Sequence, residues 1–206
     1  TTTATVQLGN GGAANELMAI GTTVTMYKDG TFNVNNQAQT IDALTFNGGT
    51  VNLGTGTLYL NNDVTVNASA GNTATINGSS GYLSMTLNRA GGVDTGPDAT
   101  RTFTTVGGVG NTYDLTIGGI IQAGNLVKAG SGTMMLNNNN TYTGTTSING
   151  GILNIQTGTD GSSRSGLGAG NGTAGQGTSV SGVATLQIQG GIAITSELLT
   201  LSGNGF

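Results

Sequence analysis

Short apolar pairs recur in the first third of the sequence, and a corner rich in Gly or Asn separates each pair from the next. Those between residues 44 and 66 are Leu44/Phe46, Val51/Leu53, Leu58/Leu60 and Val64/Val66. Apolar residues two positions apart indicate a β-strand with one buried face. Because the corners arrive every six or seven residues, no crossover helix fits between strands. The spacing predicts a chain that winds into a β-solenoid.

Three such sides make a coil of about 20 residues, which is the usual scale of a solenoid turn. The segment Gly54–Asn62 is similar to Gly130–Asn138, so the same coil pattern is reused along the chain. At about 4.8 Å per coil, 206 residues predict a rod about 45–50 Å long. The apolar positions expected to point inward include Leu44, Phe46, Leu58, Leu60, Leu136, Ile148, Leu153 and Ile155.

Residues 125–156 contain the pattern in its most regular form. The four strands predicted there are Leu126–Lys128, Thr133–Leu136, Thr145–Ile148 and Ile152–Ile155. Around this centre we interpret residues 1–206 as a single solenoid segment with two longer loops, near 89–99 and 158–177. The first loop holds the only proline, and the second is polar and contains the lone Arg164.

The same stretch resembles the autotransporter-associated β-strand repeat of bacterial passenger domains and large surface proteins. The residues that carry this resemblance are Leu126, Lys128, Gly130, Gly132, Leu136, Asn140, Tyr142, Gly144, Gly151 and Leu153. The resemblance implies a right-handed parallel β-helix that is exported by a Gram-negative-type cell to its surface or beyond. One departure is Asn138-Asn139, where the family more often has small residues.

Asn and Tyr side chains at the corners of this repeat suggest two further features. Stacked Asn137–Asn140 corners are expected to form side-chain amide ladders, as in cross-β stacks. Tyr142 is expected to pack its ring into a corner with its hydroxyl at the surface, and stacking on a glycan is an alternative role for the ring.

Composition agrees with this architecture. Only 7% of the residues are charged and 4% aromatic, which is low for a globular core. A Gly-rich chain of low charge is also typical of disorder, but the regular apolar alternation favours a folded solenoid. No apolar run approaches the roughly 18 residues of a membrane helix, so we expect no membrane span. Without Cys there is no disulfide framework.

Charge argues against nucleic acid as a partner. The net charge is −4, and the five cationic residues are spread singly. They are Lys28, Arg89, Arg101, Lys128 and Arg164. A protein that follows a phosphate backbone needs these charges clustered on one face.

The sequence contains one weak candidate cluster for catalytic chemistry. The absence of His and Cys excludes histidine-based triads and thiol catalysis. Asp94 and Asp98, with Arg89 and Arg101 nearby, form the one acid–base cluster, which we interpret as solvated surface. A polysaccharide-active enzyme would need such carboxylates as an acid–base pair, and calcium would need further ligands. We therefore expect no enzyme, no cofactor and no metal.

Two binding functions are alternatives to a structural role. In an adhesin, the loops near 89–99 and 158–177 would recognise a glycan or another cell-surface ligand on a rigid rod. Ice binding would need a flat array of threonines, and Thr1–Thr3, Thr22-Thr23 and Thr143–Thr146 do not recur at one coil spacing. A structural stalk, matrix or fibre is the function expected first.

Neither end of the sequence carries the features that natural proteins use to cap an open sheet edge. The residues proposed as assembly ends are Val6, Leu8, Leu199, Leu201 and Phe206. The segment Ala4–Leu8 is similar to Ala184–Ile188, so both ends match the same part of the motif. This predicts head-to-tail contact with another copy, which forms filaments unless it closes into a ring. The alternative is that the chain continues covalently at both ends.

Overall fold

The computed structural model describes residues 3–9, 17–19, 21–86, 89–90, 93–94 and 99–203; for 89–90 and 93–94 it describes the backbone alone. Almost all regular structure in these ranges is short β-strand, and a 3-10 helix of one turn lies at Ala174–Gln176. In chain order the strands are β1 (Ala4–Gln7), β2 (Val24–Tyr27), β3 (Gly30–Asn33), β4 (Ala38–Ile41), β5 (Leu44–Asn47), β6 (Gly49–Asn52), β7 (Thr57–Leu60), β8 (Val64–Asn67), β9 (Ala74–Asn77), β10 (Tyr82–Ser84), β11 (Arg89–Ala90), β12 (Val93–Asp94), β13 (Thr100–Val106), β14 (Leu115–Ile117), β15 (Ile120–Gln122), β16 (Asn125–Ala129), β17 (Thr133–Leu136), β18 (Thr146–Ile148), β19 (Ile152–Ile155), β20 (Arg164–Ser165), β21 (Gly168–Ala169), β22 (Thr178–Ser181), β23 (Thr185–Ile188) and β24 (Leu199–Ser202).

Three parallel sheets form the sides of a solenoid. Sheet 1 has the order β1-β3-β6-β9-β14-β17-β19-β23, sheet 2 the order β2-β5-β8-β13-β16-β18-β22-β24, and sheet 3 the order β15-β10-β7-β4. The antiparallel pairs β11–β12 and β20–β21 lie in the two long connections. The sequence-based prediction of an all-β parallel solenoid is confirmed.

The coil is about 20 residues long wherever no insertion interrupts it. In sheet 2, Val24 pairs with Leu44 and Leu44 with Val64. The later step from Val64 to Phe103 is longer because the β11–β12 hairpin intervenes. Insertions lengthen the chain without adding coils, so the eight strands of sheet 1 span only about 38 Å at 4.8 Å each. The predicted 45–50 Å was too long for this reason.

Inward side chains stack into columns because each strand pairs in register with the strands of adjacent coils. One column of sheet 1 is formed by Val6, Phe32, Val51, Ile76, Ile117, Leu136, Ile155 and Ile188. One column of sheet 2 is formed by Val24, Leu44, Val64, Phe103, Lys128, Ile148, Val180 and Leu201. All eight residues that the sequence predicted to point inward are fully buried.

The parallel ladder of sheet 3 ends at β15. Residues 140–142 run beside it without a ladder: the amide of Thr141 donates to the carbonyl of Ile121. The segment 165–169 then stacks on residues 140–142, since Asn140 N donates to Ser165 O and Ala169 N to Tyr142 O. The loop near 158–177 is therefore not simply polar surface, because Leu167 is buried in the core.

Candidate functional site

The four strands predicted in the repeat are present, with bounds within one residue of the prediction. Its glycines allow the corners to stack closely. Gly130 and Gly151 have φ of +77° and +64°, and a Cβ on either would clash with backbone of the neighbouring coil. Gly144 would clash with Asn125 and Gly124 in the same way. Gly130 and Gly151 require glycine for both conformation and space, and Gly144 requires it for space alone.

Lys128 occupies a core position and is fully buried. Its Nζ donates to the carbonyl oxygens of Ala129 at 2.8 Å, Gly130 at 3.1 Å and Gly150 at 3.0 Å. These acceptors lie at two stacked corners, so the ammonium group ties one coil to the next. Burial lowers the pKa of Lys128 from 10.5 to about 8, with Asp114 opposing the shift. Its place on the same face as Leu126 was readable from the period-2 alternation.

The Tyr142 side chain is 1% exposed, and its hydroxyl lies 2.7 Å from Thr146 Oγ1 in the interior. The expectation that this hydroxyl reaches the surface was wrong. Stacking of a glycan on the ring is excluded by the same burial. The ring lies against Gly168, where a Cβ would meet it, so residues 165–169 enclose it. Burial raises the pKa of the hydroxyl above its ordinary value of 10.0.

The asparagines of the repeat corner do not form the predicted amide ladder. Asn138 donates to the carbonyls of Ser79 and Gly118. Asn140 accepts from the amide of Ile121 and donates to Gly166 O, both at 2.8 Å. Ladders occur instead at strand ends, where Asn67 donates to Asn47 and Asn77 to Asn52. The corner amides satisfy the irregular backbone of the third side, where no strand ladder is available to do so.

The acid–base cluster proposed from the sequence falls partly outside the described residues. Asp98 is not described, nor are the side chains of Asp94 and Arg89. Arg101 is buried in β13, with Nε donating to Leu60 O at 2.8 Å. Burial lowers its pKa, with Asp63 opposing. Arg101 is therefore a core residue and not part of an exposed loop cluster. Among the described residues, no group of three His, Cys, Asp or Glu is placed to hold a metal ion.

Arg164 in the second loop forms an ion pair with Asp160, with 2.8 Å between Nη2 and Oδ2. Asp160 Oδ1 also accepts the amides of Ser162 and Arg164, which closes the turn before β20. These backbone and side-chain bonds lower the pKa of Asp160. Contacts within the loop and to Asn139 and Ala193 outside it organise this segment, and the sequence did not indicate them.

The two ends of the described solenoid expose apolar side chains. Val6 in β1 is 61% exposed and Leu201 in β24 is 71% exposed, and Leu199 is also exposed. Leu8 was predicted to be an assembly residue, but it is 5% exposed and belongs to the core. Phe206 lies outside the described residues. A groove of about 430 Å³ lies between β1 and β2 and is lined by Val6, Val24, Met26 and Phe32, among others.

Comparison with known proteins gives one result. The family model of the passenger-associated transport repeat matches residues 126–155. This confirms the resemblance drawn from the repeat residues and indicates a secreted or surface protein. Neither the comparison with curated proteins nor that with solved structures finds a match. In the part of the chain that the structure describes, no helix has the length and apolarity to cross a membrane.

We expect the free energy of unfolding to depend on alkaline pH. Between pH 8 and 10.5 the unfolded chain holds a proton on Lys128 that the folded chain has lost, so stability rises with pH. The expected gain is on the order of 2 kcal/mol. Above pH 10 the unfolded chain loses the Tyr142 proton that the folded chain keeps, so stability falls. Urea unfolding at pH 7.5, 9, 10 and 11 measures this profile.

The matched control is Lys128→Met, which fills a similar volume without a titrating group. Its stability should not rise between pH 8 and 10. A wild-type profile that is flat over this range, or a rise that persists in Lys128→Met, contradicts the assignment.

Proposed function

We propose that this chain is a non-catalytic structural segment of an extracellular or cell-surface fibre, stalk or matrix, exported from a Gram-negative-type bacterium. The observation that carries the proposal is the uninterrupted stacking of eight strands in each of two parallel sheets. Such a solenoid is stabilised by many nearest-neighbour contacts, which suits an extended load-carrying element. The passenger-associated transport repeat at residues 126–155 supports the surface location.

The interior supports a structural role as well. The apolar columns fill it from β3 to β22. Three of its buried polar side chains bond to the backbone or to each other, whereas Thr105 Oγ1 and Arg101 Nη2 have no hydrogen-bond partner among the described residues. Lys128 bonds to three corner carbonyls, Asn140 to two backbone groups and Tyr142 to Thr146. These groups hold coils together, and each has the partners that a structural role requires.

The partner that we propose is a second copy of the same chain, in head-to-tail contact. The outer edges of β1 and β2 at one end, and of β23 and β24 at the other, have no strand paired to them among the described residues. Unpaired strand edges present rows of N–H and C=O groups that accept another strand. A heterologous contact of this kind builds a filament.

Removal of the two loop carboxylates tests the non-catalytic assignment. We expect Asp94→Asn with Asp98→Asn to leave the urea midpoint and the assembly state unchanged. Neither this variant nor the wild type should degrade acidic or neutral polysaccharides, as measured by release of reducing ends. The assignment is contradicted if the wild type has such activity and the double variant loses it.

Asp114→Asn is the matched control for structural carboxylates. Asp114 is buried, and it accepts the amides of Gly108 and Thr133, both at 2.8 Å, as well as Asn111 Nδ2. The substitution turns one acceptor into a donor that faces these groups, at an expected cost of about 1–3 kcal/mol. A destabilised Asp114→Asn beside an unchanged Asp94→Asn, Asp98→Asn variant separates a structural carboxylate from ones on which stability does not depend.

A further inference from the structure

The two ends of the solenoid present the same two sheets with the same polarity. Sheet 1 ends in β1 on one side and β23 on the other, and sheet 2 ends in β2 and β24. All pairings in these sheets are parallel. A second copy translated along the solenoid axis therefore continues both sheets without reversing strand direction. The last described strand belongs to sheet 2 and the first to sheet 1, which is the order that neighbouring coils follow within the chain.

The inward columns fix how two copies would meet. Val6 is the first and Ile188 the last described member of one column in sheet 1. Val24 and Leu201 hold the same places in a column of sheet 2. Continuation of both columns places Val6 of one copy beside Ile188 of the next, and Val24 beside Leu201.

We propose that copies join in this register, with β23 of one copy paired to β1 of the next and β24 paired to β2. The inference rests on the proposed head-to-tail assembly and specifies its interface. The exposed Leu199 and Leu201 side chains of one end fit the chemistry of the apolar groove between β1 and β2 at the other. None of the four edge strands contains a charged residue, so nothing in them repels a strand neighbour.

The third side at the first end is already closed by the chain itself. The Gln39 side chain of β4 accepts the amides of Leu17 and Met18 and donates to Met18 O. These bonds hold residues 17–18 against Gln39 of β4, which is the outermost strand of sheet 3. The open edges at this end therefore belong to sheets 1 and 2, the two sheets that also end the solenoid on the other side.

A different register follows from sequence similarity alone. The match between Ala4–Leu8 and Ala184–Ile188 places Leu8 beside Ile188, two residues away from the column register. A shift of two residues keeps every side chain on its face of the sheet, so the apolar pattern does not distinguish the two registers. Burial favours the column register, because Leu8 is enclosed by its own chain whereas Val6 is exposed and can contact another copy.

Designed disulfides distinguish the two registers, and the chain contains no Cys to interfere. Thr5 and Gln187 both face outward in one column. In the column register their Cα atoms lie about 4.8 Å apart, within the range of a disulfide. The control pair Thr5 and Thr185 is then separated by about 8 Å, beyond the limit of about 7 Å. Within one molecule the two positions of each pair lie on the first and eighth strands of sheet 1, seven coils apart, and cannot bridge.

Each double cysteine variant is oxidised with diamide and run on a non-reducing gel. We expect Thr5→Cys with Gln187→Cys to form a ladder in steps of 20.3 kDa, and Thr5→Cys with Thr185→Cys to remain largely monomeric. A ladder from the control pair alone overturns the register but leaves assembly standing. Filaments in which neither pair is oxidised to a ladder overturn end-to-end strand pairing. If light scattering finds only monomers and neither pair bridges, the proposed assembly itself fails.

Discussion

Tyr142→Ala should lower the free energy of unfolding by about 3–5 kcal/mol, the range for deleting a large buried aromatic side chain. Among the residues that the structure describes, this ring belongs to the largest fully buried side chain. It joins the core to residues 165–169 through Gly168, and its hydroxyl pairs with Thr146. Because domains are stable by only about 5–15 kcal/mol, such a loss should unfold much of the chain at moderate urea.

Two variants separate the contributions of the ring and the hydroxyl. Tyr142→Phe keeps the ring but leaves Thr146 Oγ1 without this partner, so we expect a loss of about 1–2 kcal/mol. Tyr27→Ala removes a ring that is 65% exposed and should change stability by no more than about 0.5 kcal/mol. Circular dichroism during urea unfolding gives all three values. Equal urea midpoints for Tyr142→Ala and Tyr27→Ala would show that Tyr142 does not anchor the corner.

Val6→Lys should abolish end-to-end assembly without unfolding the monomer. Val6 is exposed at the edge of sheet 1 in one copy, but it lies inside the joint that we propose. An unpaired ammonium group enclosed there costs several kcal/mol, and each 1.4 kcal/mol weakens association about tenfold. Sedimentation of the assembled material as a function of protein concentration measures the effect.

Val109→Lys is the matched control for this substitution. Val109 is 86% exposed and lies between β13 and β14, away from both ends. The same change of Val to Lys there should leave assembly intact. Equal loss of assembly in both variants would mean that added charge, and not the end of sheet 1, is responsible.

The sequence predicted the coil because each coil is built from the same short-range pattern, an apolar pair followed by a corner. Apolar pairs such as Leu58/Leu60 and the glycines of the corners act within a few residues of themselves. Residues two positions apart on a strand share a face, so the alternation that buries Leu126 also places Lys128 inside. A lysine is rarely fully buried. The carbonyls of Ala129, Gly130 and Gly150 explain how the core accepts it.

Contacts made by the inserted loops could not be predicted from local sequence patterns. Leu167 stands among Gly and Ser residues in a polar loop, and nothing near it in sequence indicates that it enters the core. The ring of Tyr142 lies against Gly168 of this same loop, and its hydroxyl is buried beside Thr146. The register that we propose for β1 against β23 differs by two residues from the one that the similarity of Ala4–Leu8 to Ala184–Ile188 suggests, for a related reason. Pairing through every intermediate coil sets that register, and similarity of residue letters does not.

The subunit rise of the filament, measured by electron cryomicroscopy of the purified 206-residue chain, tests the structural role most directly. Eight coils per copy at about 4.8 Å each predict a rise of about 38 Å, together with a layer line at about 4.8 Å. Filaments with a subunit rise of only about 4.8 Å would be stacks of flat chains, as in amyloid, and would contradict the solenoid joint. Dispersed particles at every concentration would contradict the assembly.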